Sequence, residues 1–344
     1  MGDSKGKIKF AVVGCGQIGK RHISLLKAHE SAELVALVDT EPDTLKKVSF
    51  EGAACFHSLD DFLGSERSGE IEVVTIATPN GSHADLAIRL LGAKKHVVIE
   101  KPMALSKKEA EQIILKSLDV HRHVFIVKQN RYSPPTQWLK KITADNILGK
   151  IYLVEMNCFW NRDERYYTRE SWHGSSSLDG GILFTQFSHF IDILYWIFGD
   201  IKNIRSVTGN YRGLASVEFE DCGIALFEFI NGGMGSVNFS TAVWDKNLES
   251  SITVIAEKGS LKIGGQYMNK VEYCHIRDYE MPLLPEAGPN NQYGGYSGSA
   301  ANHQYIFDNV VNVIRDGYPI SANAFEGMKV VEIIERIYES AGRK

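Results

Sequence analysis

The feature that most limits the fold of this chain is a glycine run placed directly after an apolar strand. Ile8–Val13 is β-rich, and Gly14-Cys15-Gly16-Gln17-Ile18-Gly19 follows it without a spacer. Glycines at this spacing permit a tight turn, close backbone approach to a pyrophosphate, and tight helix–strand packing. The helix that opens there presents its positive N-terminus to phosphate. The spacing alone is a weak signal; its position between a strand and a helix strengthens it. The next strand, Ala32–Val38, ends at Asp39. A carboxylate there accepts hydrogen bonds from a ribose 2′-hydroxyl and repels a 2′-phosphate. Thr40-Glu41 follow and supply no arginine, so NAD is expected rather than NADP.

The rest of the first part repeats this texture. Val73–Ala77, His96–Glu100 and His123–Val127 are strand-like. Between them lie helical patterns, one starting at Ser82 and one at the capping box Ser106-Lys107-Lys108-Glu109. Strand–helix alternation implies a doubly wound parallel sheet, an α/β Rossmann domain expected over residues 1–128. From about residue 150 the texture changes. Ile151–Trp160, Val217–Phe219, Ile224–Phe229, Gly235–Thr241, Ile252–Ile255 and Leu261–Ile263 are strand-like. Asp221-Cys222-Gly223, Asn231-Gly232-Gly233 and Glu257-Lys258-Gly259 are hairpin signals between them. Helical patterns cover Leu183–Phe198 and Ala324–Gly342. Residues 129–344 are therefore expected to form an α+β domain with an open, mainly antiparallel sheet. Such a sheet has a face that needs covering, so a homo-oligomer, a dimer or tetramer, is expected.

Composition excludes several function classes. A chain of 344 residues suggests about two domains. Lys+Arg 38 against Asp+Glu 42 gives a net charge of -4, which argues against a nucleic-acid partner. The apolar run Phe10–Val13 is too short for a signal peptide, and Ile182–Phe198 is interrupted by polar residues, so no membrane partner is expected. Five cysteines with no CxxC spacing argue against a disulfide framework or zinc ribbon and for a cytoplasmic location.

Three further motifs carry chemistry. Thr78-Pro79-Asn80-Gly81-Ser82-His83 stands at the carboxyl edge of the sheet, where ligands bind. His83 reads first as a solvated first-turn residue, with a cofactor contact as the alternative. Glu100-Lys101-Pro102 follows a buried strand; the lysine points toward the reacting end of a dinucleotide, and the proline fixes a rigid turn that can be cis. Gly180-Gly181 leads into a helix in which Thr185, His189 and Asp192 are spaced to share one face. An imidazole, with an ordinary pKa near 6.5, suits a general base at neutral pH.

GxGxxG with Asp39, Glu-Lys-Pro, and a Gly-Gly…His-x-x-Asp helix in that order resemble the glucose–fructose oxidoreductase/inositol dehydrogenase (Gfo/Idh/MocA) family over essentially the whole chain. In that family the lysine and the histidine flank the substrate carbon and the nicotinamide. The resemblance thus implies Lys101 and His189 as catalytic residues. The family often has an aspartate four residues before the histidine, and here that position is Thr185. More of the acid–base work is then expected to fall on His189 and Lys101, with Thr185 orienting substrate or His189. The implied cofactor contacts are Gly14, Gly16, Gln17, Ile18, Gly19, Asp39, Thr40, Thr78, Pro79, Asn80, His83, Glu100, Lys101 and Gln129. No metal is implied, since hydride transfer with a lysine and a histidine needs no Lewis acid.

Val127–Tyr132, Phe184–His189 and Gly259–Gly265 with Asn269-Lys270 resemble the branch that oxidises C3 of UDP-N-acetylglucosaminuronic acid for surface polysaccharide synthesis. A stretch rich in arginine and aromatics, Trp160–Trp172, agrees with an anionic sugar nucleotide, because arginine forks bind carboxylate and phosphate. Candidate substrate contacts are Arg131, Tyr132, Arg162, Arg165, Tyr166, Trp172, Gln186, Ser188 and His189. Two other readings stay open: a dehydrogenase of inositol or a free sugar, and a non-catalytic dinucleotide sensor on the same fold.

Overall fold

Short β-rich runs form the first sheet in the computed structural model, which describes residues 6–168, 171–292 and 296–343. They are β1 (Ile8–Val13), β2 (Ala32–Val38), β3 (Ala54–Phe56), β4 (Val73–Ile76), β5 (His96–Ile99) and β6 (Val124–Ile126). All pair in parallel in the order β3-β2-β1-β4-β5-β6. The order reverses between β1 and β4, the switch point at which an open α/β sheet binds ligands. β1 and β4 are almost wholly buried, which is why they read as continuous apolar runs. Ser106 and Glu109 form the expected capping box on the helix Lys107–Val120.

The chain divides into Met1–Val127 with His303–Met328, and Lys128–Asn302 with Lys329–Lys344. Sequence reading placed all residues after 128 in one second domain; the return of His303–Met328 to the first unit differs from it. The cause is the apolar face of the helix Gln304–Asp316, where Ile306, Phe307, Val310 and Val311 are buried. Phe307 packs edge-on against Phe10 of β1, with ring centroids 6.3 Å apart.

The second unit holds β7 (Ile151–Phe159), β8 (Ile201–Gly209), β9 (Cys222–Phe229), β10 (Met234–Ser240), β11 (Glu249–Ala256), β12 (Gly259–Gly264) and β13 (Lys270–Ile276). Their order is β13-β12-β11-β7-β10-β9-β8, antiparallel except where β10 runs parallel to β7. Inward residues alternate along the strands: Val154, Met156 and Cys158 on β7, Val237 and Phe239 on β10. The helix Ser188–Phe198 covers that face. Phe187 and Phe190 meet Trp160, Phe187 meets Phe239, and Phe198 meets Phe229. A Cβ on Gly223 would stand 2.2 Å from the Phe239 ring, so this strand position requires glycine. The opposite face leaves Ile224, Leu226 and Val207 exposed.

Three local expectations differ. Val217–Phe219 is not a strand, because the Asp221 carboxylate caps the Tyr211 and Arg212 N–H groups instead of opening a hairpin. The edge strands β8 and β13 escaped the pattern. The helix expected over Leu183–Phe198 is two pieces, Ile182–Thr185 and Ser188–Phe198. Among the described residues no helix is long and apolar enough to cross a membrane.

If His303–Met328 belongs to the core of the first unit, Phe307→Ala should cost about 3–5 kcal/mol in urea unfolding. A loss below about 1 kcal/mol would contradict that packing.

Candidate active site

In the first unit the glycines have separate duties. A Cβ on Gly14 would stand 2.5 Å from the Ala77 carbonyl oxygen, and one on Gly19 would stand 1.9 Å from that of Gly14. These two glycines let the ends of β1 and β4 and the helix Gln17–Ala28 close on one another. Gly16 is different: nothing lies within 4 Å of its Cβ position. Gly16 is also the N-cap of that helix, with no side-chain cap and no acidic residue in the first turn. The first N–H groups are thus open beside an exposed glycine, a cradle that fits a pyrophosphate. Gln17 is exposed and Ile18 half-buried in the same turn.

Asp39 stands at the end of β2. Its carboxylate accepts from Cys15 N–H at 2.7 Å and from Glu41 N–H at 2.9 Å. These bonds hold it beside the glycine turn, where a ribose diol would meet it, and Thr40 is exposed next to it. The residues present therefore fit an NAD molecule.

Pro79 leads from β4 into a single turn, Asn80–Ser82, in which Thr78 Oγ1 and Ser82 Oγ are 2.7 Å apart. Asn80 is buried. His83 is fully buried, at 0% exposure, which corrects the solvated reading. Its Nδ1 lies 2.7 Å from Pro102 O and its Nε2 2.9 Å from Thr78 O. The ring ties the turn after β4 to the turn after β5. Burial pushes its pKa down, against the pull of the two carbonyls. At the second of those turns the Lys101–Pro102 bond is cis, Glu100 is buried, and Lys101 is half-buried.

The second unit gathers the other candidates. Gln129–Tyr132 forms one helical turn after β6. The Gln129 amide nitrogen lies 3.3 Å from His189 Nε2 and 3.4 Å from Ser299 Oγ. An NH2 group only donates, so this pairing leaves His189 Nε2 as the acceptor. His189 sits in the first turn of Ser188–Phe198, with Gln186 and Ser188 buried beside it in sequence. Gln129 Oε1, Gln186 Oε1 and Ser188 Oγ are buried polar atoms with no hydrogen-bond partner. Such atoms fit a polyhydroxylated ligand.

Thr185 belongs to the shorter helix, so it does not continue the face of His189 and Asp192. Its hydroxyl bonds both the backbone and the carboxylate of Asp179, a fully buried residue that sequence reading missed. A carboxylate thus reaches this position from six residues upstream, although the helix lacks its own. Arg131 also differs from its reading as an open anion contact. Its Nε and Nη2 each donate to Asp192 at 2.8 Å, and Lys128 Nζ lies 3.5 Å from the same carboxylate. Burial raises the Asp192 pKa, but these two cations outweigh it and hold the group below the usual range.

The described part of the arginine–aromatic stretch makes close side-chain contacts. Arg162 is buried among the rings of Trp160, Tyr166 and Tyr296, and donates to Ser297 O. The Tyr166 hydroxyl accepts from Gln186, and Trp172 stacks on His173. Arg165 is half-exposed and pairs with Asp163 and Asp245. Hydrogen bonding to Arg165 brings Asp163 to about 2. Arg169 lies outside the described residues.

The parallel sheet, the glycine cradle and the paired Asp39 together define a dinucleotide-binding protein of the Rossmann class. Residues 8–127 match the model of the oxidoreductase family with an NAD-binding Rossmann fold, and residues 136–262 match the GFO/IDH/MocA C-terminal domain. The WlbA dehydrogenase from Bordetella pertussis, solved in complex with NADH and UDP-GlcNAcA, is 32% identical, with a TM-score of 0.87 over 98% of this chain and 97% of that one. The WlbA dehydrogenase from Chromobacterium violaceum, in complex with the same two ligands, is 30% identical, with a TM-score of 0.85 over 99% and 95%. Inositol 2-dehydrogenase/D-chiro-inositol 3-dehydrogenase from Lactiplantibacillus plantarum is 26% identical over 74% of this chain and 71% of its own. The chain belongs to the GFO/IDH/MocA family. It is an NAD-dependent sugar oxidoreductase of that type, acting on a CH–OH group.

Removing the Asp192 carboxylate would strand two buried cations. Asp192→Ala is expected to cost about 3–5 kcal/mol in chemical denaturation. A cost below about 1 kcal/mol would show that Lys128 and Arg131 do not depend on it.

Proposed function

We propose that this protein uses NAD to oxidise the C3 hydroxyl of UDP-N-acetylglucosaminuronic acid, a step that prepares the sugar for a 3-amino group in surface polysaccharide synthesis. The observation that carries the reading is full-length similarity to two WlbA dehydrogenases solved with NADH and UDP-GlcNAcA. Free thiols at all five cysteines fit a cytoplasmic enzyme, and the exposed Ile224, Leu226 and Val207 fit a homo-oligomer.

Bound NAD supplies the hydride acceptor. The chain supplies binding, orientation and proton handling. The N–H groups at Gly16 and after it hold the pyrophosphate, and Asp39 accepts from the ribose hydroxyls. His189 takes the substrate hydroxyl proton at Nε2 once that hydroxyl replaces the Gln129 amide, which stands 3.3 Å from the nitrogen. The Lys101 ammonium donates to the same substrate oxygen and steadies the negative charge that develops there. Thr185, bonded to Asp179, holds the segment that leads into His189. Gln186 and Ser188 offer their unpaired oxygens to sugar hydroxyls. Arg165 is the arginine we assign to the substrate's anionic groups. Its side chain is 50% exposed, and a surface pair with Asp163 costs little to exchange. Arg131 and Arg162 are committed to Asp192 and to the ring cage, and act through those contacts.

NADH formation by the purified chain should appear with UDP-N-acetylglucosaminuronic acid and not with inositol. The reverse pattern would sink this substrate. Lys101→Ala should lower kcat by about 100-fold or more while NADH still binds, as measured by fluorescence titration. Unchanged turnover would remove Lys101 from the mechanism.

A further inference from the structure

The Glu100 carboxylate lies immediately before Lys101 and is only 5% exposed. Its Oε1 faces two imidazoles: His22 Nε2 stands 3.0 Å away and His303 Nε2 3.6 Å away. Its Oε2 accepts the main-chain N–H of Lys101 at 3.1 Å. His22 and His303 are almost wholly buried, at 0% and 1% exposure. On its other side, His22 Nδ1 lies 2.7 Å from the hydroxyl of Thr75 in β4. With Nε2–H donating to Glu100, Nδ1 accepts from that hydroxyl, and both ring nitrogens of His22 are used. The Phe307 ring closes the cluster edge-on against His22, with centroids 5.1 Å apart.

Three separate stretches of the first unit meet here: the helix Gln17–Ala28, the end of β5, and the residue before the helix Gln304–Asp316. Burial alone would push the Glu100 pKa up. The hydrogen bond from His22 and the nearby His303 imidazole outweigh it and hold the group well below the usual carboxylate range. Burial also pushes His303 down. A buried carboxylate kept ionised is costly unless it is firmly bonded, so this one depends on its bonds to His22 and to the Lys101 N–H. It is attached to the residue we assign to the reacting oxygen.

We propose that His22, Glu100 and His303 are positioning residues for Lys101: His22 bonds the carboxylate, His303 encloses it, and the carboxylate fixes the main chain from which the Lys101 side chain departs. This rests on the reading of Lys101 as catalytic. Lys101 touches the substrate; the other three act through it.

A double-mutant cycle on the full chain tests this, with kcat and the NADH Kd read for each variant. Glu100→Ala should lower kcat about 10- to 100-fold, since small misplacement of a reacting group costs that much, with the NADH Kd within about threefold. Glu100→Gln keeps an acceptor for the Lys101 N–H and should regain most of the loss. In a Lys101→Ala background, adding Glu100→Ala should cost less than about twofold more. A purely structural role would leave the full loss in that background and overturn the proposal, as would unchanged kcat in Glu100→Ala. Wild-type turnover in Lys101→Ala would instead overturn the reading of Lys101. If Glu100→Ala does not fold, His22→Ala and His22→Gln give the same comparison, because glutamine retains a donor toward Glu100. The ligand atoms of His22, Glu100 and His303 lie within 4.8 Å of one another. A stoichiometric transition metal in the purified chain, lost in His22→Ala, would therefore also overturn the positioning role.

Discussion

The first unit depends on one close approach: Gly19 against the Gly14 carbonyl, and Gly14 against the Ala77 carbonyl. No side chain larger than hydrogen fits at either contact. Because the backbone closes there, the end of β1, the end of β4 and the start of the first helix converge on one point. The first groups that would touch the dinucleotide are set by that convergence. Asp39 is held by the Cys15 N–H inside the glycine turn, and the turn after β4 begins at the carbonyl that Gly14 touches. His83 then carries the constraint one strand further, to Pro102 beside Lys101. The placement of Lys101 is in this sense a consequence of where two glycines sit.

The second unit solves a different problem. Its catalytic candidate lies in an almost wholly buried apolar helix packed on a sheet, where an imidazole needs a polar environment. The chain provides that environment from outside the helix: Gln129 reaches His189, Asp179 reaches Thr185, and Arg131 with Lys128 neutralises Asp192. The break at Gln186 and Phe187 puts His189 in a first turn, and Gln186 and Ser188 keep an unpaired oxygen each.

The first sheet was legible because its signals are local. An apolar strand, a glycine turn and an acidic strand end all lie within the first forty residues of the chain. The Asn231-Gly232-Gly233 turn was legible for the same reason. β8 and β13 were not, because edge strands with one exposed face mix charged and apolar residues and lack a clear apolar run. His22 and His303 carried no sequence signal as a pair, since 281 positions separate them and only the return of the chain to the first unit joins them. Asp179 is hidden in the sequence because it lies upstream of the helix that carries Thr185 and not within it. His83 misled because a first-turn histidine is ordinarily wet, and here two turns fold over it. The bidentate pairing of Arg131 follows from Asp192, which sequence spacing had placed on a helix face without identifying its partner.

The proposed reaction removes hydrogen from one particular carbon of a sugar nucleotide and gives it to NAD. UDP-N-acetylglucosaminuronic acid deuterated only at C3 tests this most directly, with the isolated reduced cofactor examined by NMR. Deuterium is expected at C4 of the nicotinamide. Reduced cofactor that forms without deuterium would mean that another carbon is oxidised, and would rule out oxidation at C3.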